Sequence, residues 1–343
     1  MHRSQSAYEA AVLQTWRHDP AVPADGAAAM REAVRCATLA ASSHNTQCWR
    51  FELDGSTVRI RPDLRLRLPV VDPDDHHLYA SIGCATENLL IAARAMGLAG
   101  EARLAGTGPQ GVEVALQKSS PQASPLFDAI ARRQSTRGVY DGQPISSEDL
   151  RLLEAAGNGN GVSVRLLTGA PALESVLSSV IEGNSMQIRD PAFVAELKQW
   201  IRFDGAHAAR TGDGLYAACS GNPALPPWLG RRLFDLVFAE GAENDKIARQ
   251  MRSSAGIAVF VSEKDDWQHW LQAGRAYQRF ALQATALGIR TAHLNQPVEV
   301  AQLRAPFARA LGLGPGRPDL VVRFGRGPEM PRSLRRPPQA VLS

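Results

Sequence analysis

Apolar residues recur at helical spacing over two long stretches of the chain. In the first they stand at Leu78, Ile82, Ala85 and Leu89, and the stretch ends at Gly97, a residue type common at helix C-caps. The second covers residues 267–287 and follows the segment 256–262, whose residues 257–261 are all apolar. The pattern predicts two long buried helices, one in each half of the chain, the second preceded by a core strand.

Alternating apolar and polar positions predict strands. Val58 and Ile60 alternate with polar residues, and Leu64, Leu66 and Leu68 alternate with arginines, which predicts a sheet with one polar face. Further strands are predicted at 112–116, 162–167 and 320–324, and shorter helices at 8–16, 27–41, 127–133, 147–156, 173–188, 191–201 and 299–311. Segment 203–243, rich in glycine and proline, is predicted to be irregular. The mixture indicates an α+β fold.

The region around the first long helix repeats around the second. Residues 74–98 align with residues 265–289 without a gap. The most telling identities are Asp74/Asp265, Asp75/Asp266, Gly83/Gly274 and Gly97/Gly288. A shorter match aligns residues 40–50 with 155–165. We interpret the chain as one α+β unit duplicated and fused, which mimics a homodimer in one polypeptide; the alternative is chance similarity.

The halves predicted from this repeat are residues 27–118 and 125–343, joined by the polar linker 119–124. The second half carries the insertion at 203–243. The two halves differ in one important respect, because only the first has the loop SSHNTQ and only the second is preceded by a helix ending in RRQSTR. The chain thus retains two complementary halves of a single interface site.

Composition excludes several classes of protein. The 343 residues are 44% hydrophobic and 21% charged, with a net charge of only +4, so a full core is expected. Basic residues are dispersed rather than clustered in a stripe, which argues against nucleic acid as a partner. No apolar run reaches the ~18 residues of a membrane span, and no cysteine pair has zinc spacing. We expect a soluble cytoplasmic protein with core thiols and no membrane partner.

The segment RRQSTR suggests an anion site. It places Arg132, Arg133 and Arg137 around the hydroxyls of Ser135 and Thr136, just beyond a helix end. Guanidinium groups fork onto phosphate oxygens and hydroxyls complete the shell, so a phosphate monoester would suit this turn. The alternative is that the arginines only cap helix carbonyls and meet solvent.

Three segments together resemble a known family. Residues 41–51, ASSHNTQCWRF, resemble the PSxxNxQPWxF loop of the nitroreductase superfamily of flavoproteins, and RRQSTRGVYD resembles its RRSxRxFD-type phosphate-binding turn. The closing LVVRFGRGPEMPRSLRRPP is similar to the family's final strand and basic pair, and the tandem order is similar to the Acg-like branch. The resemblance covers about residues 28–340. It implies a nitroreductase-like FMN-binding fold, duplicated and fused as a pseudo-homodimer.

The resemblance also implies a cofactor site, with FMN at the interface between the halves. Phosphate and ribityl contacts would come from Arg133, Gln134, Ser135 and Arg137, with added charge from Arg335 and Arg336. Isoalloxazine contacts from the other half would come from Ala41, Ser42, Ser43 and Asn45. The backbone around His293 and Leu294 would face the flavin N5 edge. The family's loop proline is Cys48 here, a core thiol or a redox-active one, and the family's acid–glycine pair beside N5 is absent.

Function follows from the implied cofactor. The first hypothesis is an FMN-dependent oxidoreductase that passes hydride from NAD(P)H to a nitroaromatic, quinone or similar small acceptor, with no catalytic side chain required. The second is an FMN-sequestering protein in which segment 203–243 forms a lid; the alternative for this segment is a surface insertion. A third is an interaction protein with an empty site. The acids and histidines at 72–77 suggest helix capping by Asp74 and Asp75 rather than a metal site. The oligomeric expectation is a monomeric pseudo-dimer or a loose homodimer.

Overall fold

The secondary structure comes from a computed structural model that describes residues 2–23, 25–106, 108 and 110–343, without the side chains of residues 2–5 and 235–237. The helices are α1 His2–Thr15, α2 Gly26–Thr38, α3 His76–Ala95, α4 Pro125–Ile130, α5 Ser147–Gly157, α6 Ala170–Arg189, α7 Pro191–Trp200, α8 Gly205–Thr211, α9 Pro227–Val237, α10 Glu240–Arg252, α11 Trp267–Ala286, α12 Gln296–Glu299 and α13 Ala301–Ala310. The strands are β1 Trp49–Asp54, β2 Thr57–Pro62, β3 Leu98–Leu104, β4 Val112–Lys118, β5 Val162–Leu167, β6 Ile201–Arg202, β7 Leu215–Tyr216, β8 Gly256–Ser262, β9 Arg290–His293 and β10 Arg317–Gly325.

The two main sheets repeat one topology. Each has four antiparallel strands, in the order β1-β2-β4-β3 in the first half and β5-β8-β10-β9 in the second. In each half, a long helix follows the second strand of the unit, α3 after β2 and α11 after β8. The α+β fold predicted from the sequence is therefore confirmed, and the two sheets share one strand order. The duplication of one unit stays a prediction.

Helices α3 and α11 cross at two glycines that the sequence repeat identifies. A Cβ placed on Gly83 would lie 2.0 Å from the Leu271 carbonyl oxygen, and one on Gly274 would lie 1.8 Å from that of Ala80. The contacts are reciprocal, because residues 80 and 83 align with 271 and 274 in the repeat. Such exchanged contacts are what a twofold axis produces between identical subunits. The shorter sequence match also has a backbone counterpart, since Asn45 and its aligned residue Asn160 both have positive φ, 54° and 55°.

One continuous core joins the halves. Trp49, Phe51 and Val58 of the first sheet belong to the same apolar cluster as Phe260 and Phe324 of the second. The C-terminal tail adds a second connection, because Phe51 N donates to Val341 O and Ser343 N donates back to Phe51 O. The tail thereby covers the edge strand of the other half's sheet, and it carries residues 331–336 past the loop at 42–47.

Two local predictions from the sequence are wrong, and one strand was not predicted. Residues 64–66 form a short 3₁₀ helix rather than a strand, because Asp63 accepts from Arg65 N and its carboxylate also binds the Arg65 and Arg50 guanidinium groups. Segment 203–243 is not irregular, since it contains α8, α9 and the start of α10. The strand β3 was not predicted, because its small and polar residues, LAGEARL, show no clear alternation.

Candidate functional site

The loop at 42–47 has an unusual backbone. His44, Asn45 and Gln47 all have positive φ, a conformation that side-chain-bearing residues rarely adopt. Ser42 Oγ accepts from Gln47 N at 3.0 Å and closes the turn. Strained positions of this kind persist only where surrounding contacts hold them, and they cluster at functional sites.

The two amides of this loop clamp segments of the second half. Asn45 Nδ2 donates to Gly214 O at 3.0 Å and to Leu334 O at 3.1 Å, and Gln47 Nε2 donates to Gly212 O at 2.9 Å. In return, Gly214 N donates to Asn45 O. The loop therefore fixes both the insertion and the C-terminal tail, which are far from it in sequence.

A cavity of about 180 Å³ lies between the halves beside this loop. The first half contributes Ala41, Ser42, Ser43, Ala80, Ser81 and Cys84. The second half contributes Arg137, Leu215, Tyr277, His293, Asn295 and Glu299. The lining combines small residues of the first half with a tyrosine, a leucine and several polar side chains of the second, a mixture typical of small-molecule sites.

The cavity continues into a narrower end that is rich in arginine. Arg133, Arg137, Arg332 and Arg335 line it together with Ser135 and Gln134. Among the described residues no carboxylate forms an ion pair with any of these four arginines, and the buried atoms Arg133 Nε, Arg133 Nη1 and Arg335 Nε have no hydrogen-bond partner. Burial, with the neighbouring Arg133 and Arg332, holds the pKa of Arg335 well below its ordinary value. Burial likewise lowers the pKa of Arg332 to about 10. An anion at this end would relieve the mutual repulsion.

The N-terminal helix covers the arginine-rich end. The Trp16 ring lies 4.2 Å from the Arg332 guanidinium and 5.0 Å from that of Arg335, which is cation–π geometry. Trp16 Nε1 donates to Ser333 O and Tyr8 Oη donates to Arg332 O. Helix α1 is therefore attached to the tail residues that supply the charge.

Two histidines at the cavity are neutral. Burial, followed by the charge of Arg137, lowers the pKa of His44 to about 4 and that of His293 to about 3. The His293 ring packs against Tyr277 with 4.4 Å between ring centroids, and its buried Nδ1 has no hydrogen-bond partner. His293 thus offers an unused polar atom near the cavity without adding charge.

A third histidine belongs to an acidic group at the other end of the cavity. Burial lowers the pKa of His77, but the hydrogen bond and charge of Asp72 outweigh burial and raise it. Asn295 Oδ1 accepts from Val321 N at 2.9 Å, so Asn295 Nδ2 faces His77 Nε2 at 3.3 Å. This orientation assigns the Nδ1–H tautomer to neutral His77, with its proton toward Asp72 at 3.5 Å. Burial also raises the pKa of Glu299 nearby.

Asp72, His76 and His77 bring three potential metal-ligand atoms within 4.8 Å of one another. The carboxylate of Asp72 is already used, because its two oxygens accept from His77 N and Leu78 N at 2.9 Å and cap α3. Asp75 stands at the N-cap position of this helix, but its side chain binds Arg67 and makes no capping hydrogen bond. The capping predicted for Asp74 is wrong, because its carboxylate binds Arg304.

The structure brings most of the predicted site residues together. Ala41, Ser42 and Ser43 line the larger part of the cavity, and Arg133, Gln134, Ser135, Arg137 and Arg335 line the narrow end, with His293 at both. Asn45 also lines the narrow end, with its Nδ2 committed to clamping. Gln134 is partly engaged elsewhere, because its amide binds Met330 and Pro331 of the tail.

Two predicted residues do not line this cavity. Leu294 is buried in the core beside β10, where its N–H donates to Val321 O. The guanidinium of Arg336 donates to Thr46 O and Gln47 O, so it supports the back of the loop at 42–47 rather than the arginine-rich end.

Several cavity residues were not singled out by sequence reasoning. Trp16, Tyr277, Leu215 and Arg332 reach the site from four separate segments of the chain. Arg332 stands beside the predicted basic pair, so a wider view of that tail would have found it. Cys48, flagged as a possible redox thiol, is buried, and burial raises its pKa to about 12, which fits the core-thiol alternative.

Comparison with known proteins finds curated relatives and solved structures that are named as nitroreductases. No model of a known protein family matches the chain. The curated "Putative NAD(P)H nitroreductase Rv3131" of Mycobacterium tuberculosis (strain ATCC 25618 / H37Rv) is 26% identical over 307 residues, which cover 87% of this chain and 85% of the relative. A nitroreductase with bound FMN from Desulfitobacterium hafniense DCB-2 has 13% identity and a TM-score of 0.40, and covers 65% of this chain and 98% of its own.

A further solved structure is the FMN-dependent nitroreductase NfnB from Mycobacterium smegmatis in complex with NADPH. It has 13% identity and a TM-score of 0.38, and covers 59% of this chain and 87% of its own. The similarity to the curated relatives over most of both chains confirms the resemblance to the nitroreductase superfamily. The tandem-repeat, Acg-like branch stays a prediction. None of the described helices is long and apolar enough to cross a membrane.

Proposed function

We propose that this protein is an FMN-dependent oxidoreductase that uses NAD(P)H to reduce a nitroaromatic, a quinone or a similar small acceptor. The observation that carries the proposal is the uncompensated arginine-rich end of the cavity. Buried guanidinium atoms without partners are costly unless a ligand supplies acceptors, and a phosphate monoester does so. The curated nitroreductase relatives support the same class of chemistry.

The residues present fit FMN. Arg133, Arg335 and Arg137 would hold the phosphate and the ribityl chain, with the Ser135 hydroxyl alongside. The larger part of the cavity, between the small residues of the first half and Tyr277 of the second, would hold the flat ring system. Since both halves belong to one chain, a monomer would supply a complete site.

When bound, FMN supplies the hydride chemistry, and the protein supplies placement, hydrogen bonds and a dry site. Neutral His293 and His44 would keep positive charge away from the ring. Glu299 lines the cavity, and burial raises the pKa of its carboxyl group, which favours the protonated form. A protonated Glu299 would supply a proton to an acceptor that gains electrons.

The test of this proposal is an absorbance spectrum of the purified protein, followed by anaerobic addition of NADPH and, separately, NADH. The proposal predicts flavin bands that bleach within seconds. Bands that persist with both nucleotides but bleach with dithionite would contradict an oxidoreductase and favour flavin sequestration.

The sequestration alternative is favoured by one observation in the insertion. The turn at 212–216 is hydrogen-bonded to Asn45 of the loop at 42–47, and Leu215 lines both parts of the cavity. If this turn is the lid, Leu215→Ala should increase NADPH oxidation, whereas the matched surface variant Leu152→Ala should not. Unchanged oxidation in Leu215→Ala would count against a lid.

A further inference from the structure

A second arginine-rich site lies behind the cavity, on the outer side of the C-terminal tail. It is a cleft of about 520 Å³, which we call the outer cleft. Its walls come from the end of α1, the end of α2, the end of α8 and tail residues 334–339. It is separate from the cavity proposed for FMN, although Arg335 lines both spaces.

The charge of the outer cleft is strongly unbalanced. The arginines that line it are Arg17, Arg35, Arg210, Arg335 and Arg336. Among the described residues no Asp or Glu lines the cleft, and the one nearby carboxylate that forms ion pairs with two of these arginines is Glu32. Within the described part of the chain, the guanidinium groups of Arg335 and Arg336 donate only to hydroxyl and backbone oxygens. This surplus of positive charge attracts anions.

Among the described residues, guanidinium groups that line the cleft also keep donors that no acceptor uses. Arg35 is only 8% exposed, and its Nη1 has no hydrogen-bond partner although Nε and Nη2 bind Glu32. Arg335 Nε and Arg336 Nε are also buried without partners. The side chains of Gln14 and Thr15 lie in the same wall. The cleft therefore combines forked cationic donors with neutral polar groups, the donor set that recognises phosphoryl oxygens.

We propose that the outer cleft binds the phosphoryl group of a small phosphorylated molecule, at a site distinct from the one proposed for FMN. The ligand would place its phosphoryl oxygens beside Arg210, with Arg35 and Arg336 adding positive charge from the walls of the same cleft. Because Arg335 stands between the two spaces, an anion in the outer cleft would also lessen the repulsion that Arg335 experiences from Arg133 and Arg332. Occupancy of the outer cleft and anion binding in the cavity are thereby coupled.

The experiment uses full-length protein saturated with FMN and titrated with pyrophosphate by isothermal titration calorimetry at low ionic strength. The test variant is Arg210→Gln, and the matched control is Arg309→Gln. Both arginines are exposed and both stand in the last turn of a helix, α8 for Arg210 and α13 for Arg309. Neither residue lines the cavity proposed for FMN, so flavin content should stay unchanged in both.

The expected result is saturable binding whose dissociation constant rises about tenfold in Arg210→Gln and stays at the wild-type value in Arg309→Gln. No saturable binding, or equal weakening in both variants, would overturn the proposal. Flavin absorbance on the same samples separates the two proposals: retained flavin without pyrophosphate binding rejects the outer cleft alone. If flavin is absent, pyrophosphate can also enter the arginine-rich end of the cavity, so in the flavin-free protein only binding that Arg210→Gln weakens counts for the cleft, and none weakened rejects it.

A competition arm identifies the source of the phosphoryl group. If NADP⁺ displaces pyrophosphate and NAD⁺ does not, the cleft binds the phosphate group that NADP⁺ has and NAD⁺ lacks. If neither displaces it while inorganic phosphate does, the ligand is a separate phosphorylated metabolite. Both outcomes support the proposal, provided that Arg210→Gln also weakens binding of the molecule that displaces pyrophosphate.

Discussion

The crossing of α3 and α11 gives a sharp test of how the two halves meet. In Gly274→Ala, the new Cβ would lie 1.8 Å from the Ala80 carbonyl oxygen, and real Cβ atoms essentially never approach below 3.0 Å. The neighbour is backbone in a buried helix, so no side chain can rotate away. The helices must separate by roughly 1 Å, and overpacking of this kind costs about 1–3 kcal/mol.

The assay is urea unfolding of the flavin-free protein, with Gly241→Ala as the matched control. A Cβ on Gly241, in the first turn of α10, meets nothing within 4 Å, so this change should stabilise the protein by about 0.4–1 kcal/mol. Gly274→Ala should also weaken FMN binding, because Ala80 and Cys84 of α3 line the cavity. Unchanged stability of Gly274→Ala would refute the close helix crossing.

Three further predictions concern the site. Because the pKa values of His44 and His293 are lowered to about 4 and 3, the unfolded chain takes up their protons first as the pH falls below about 6.5, and each histidine should cost about 2 kcal/mol of unfolding free energy between pH 7 and 5. In urea unfolding at several pH values, His44→Gln should make this loss of stability smaller. The same dependence of stability on pH in the variant and the wild type would contradict the assignment. Asn45→Ala should cost about 1–3 kcal/mol and speed proteolysis near residue 214, because two buried carbonyls lose their donor; wild-type cleavage would argue against the clamp. Trp16→Ala should speed FMN dissociation several-fold, whereas Trp228→Ala, 66% exposed, should not.

Much of the fold could be predicted because its core elements carry simple patterns. The strands β5 and β8 and the two long helices were located from apolar periodicity, to within a few residues at the ends. The strand predicted at residues 64–68 is wrong despite the regular alternation, because Leu64 is 54% exposed and Asp63 binds the arginines of the turn. Local alternation cannot show which carboxylate will bind the neighbouring arginines.

Site residues could be predicted from the sequence only where they belong to a recognisable motif. Arg133 and Arg335 stand in recognisable segments, and the structure brings them to one end of the cavity. Arg336 directly follows Arg335 in the sequence, yet its guanidinium binds the back of the loop at 42–47, and the residue lines the outer cleft. Trp16 and Leu215 carry no local signal, because their roles arise from contacts with segments far away in sequence.

The measurement that tests the central claim most directly compares FMN with riboflavin, which lacks the phosphate, in fluorescence titrations of the flavin-free protein. The account predicts that FMN binds far more tightly than riboflavin, and that Arg133→Gln removes most of this difference because it weakens FMN binding much more than riboflavin binding. Arg309→Gln is the control and should keep the wild-type preference. Equal affinity for the two flavins, or no binding of either, would contradict the claim that this cavity holds FMN by its phosphate.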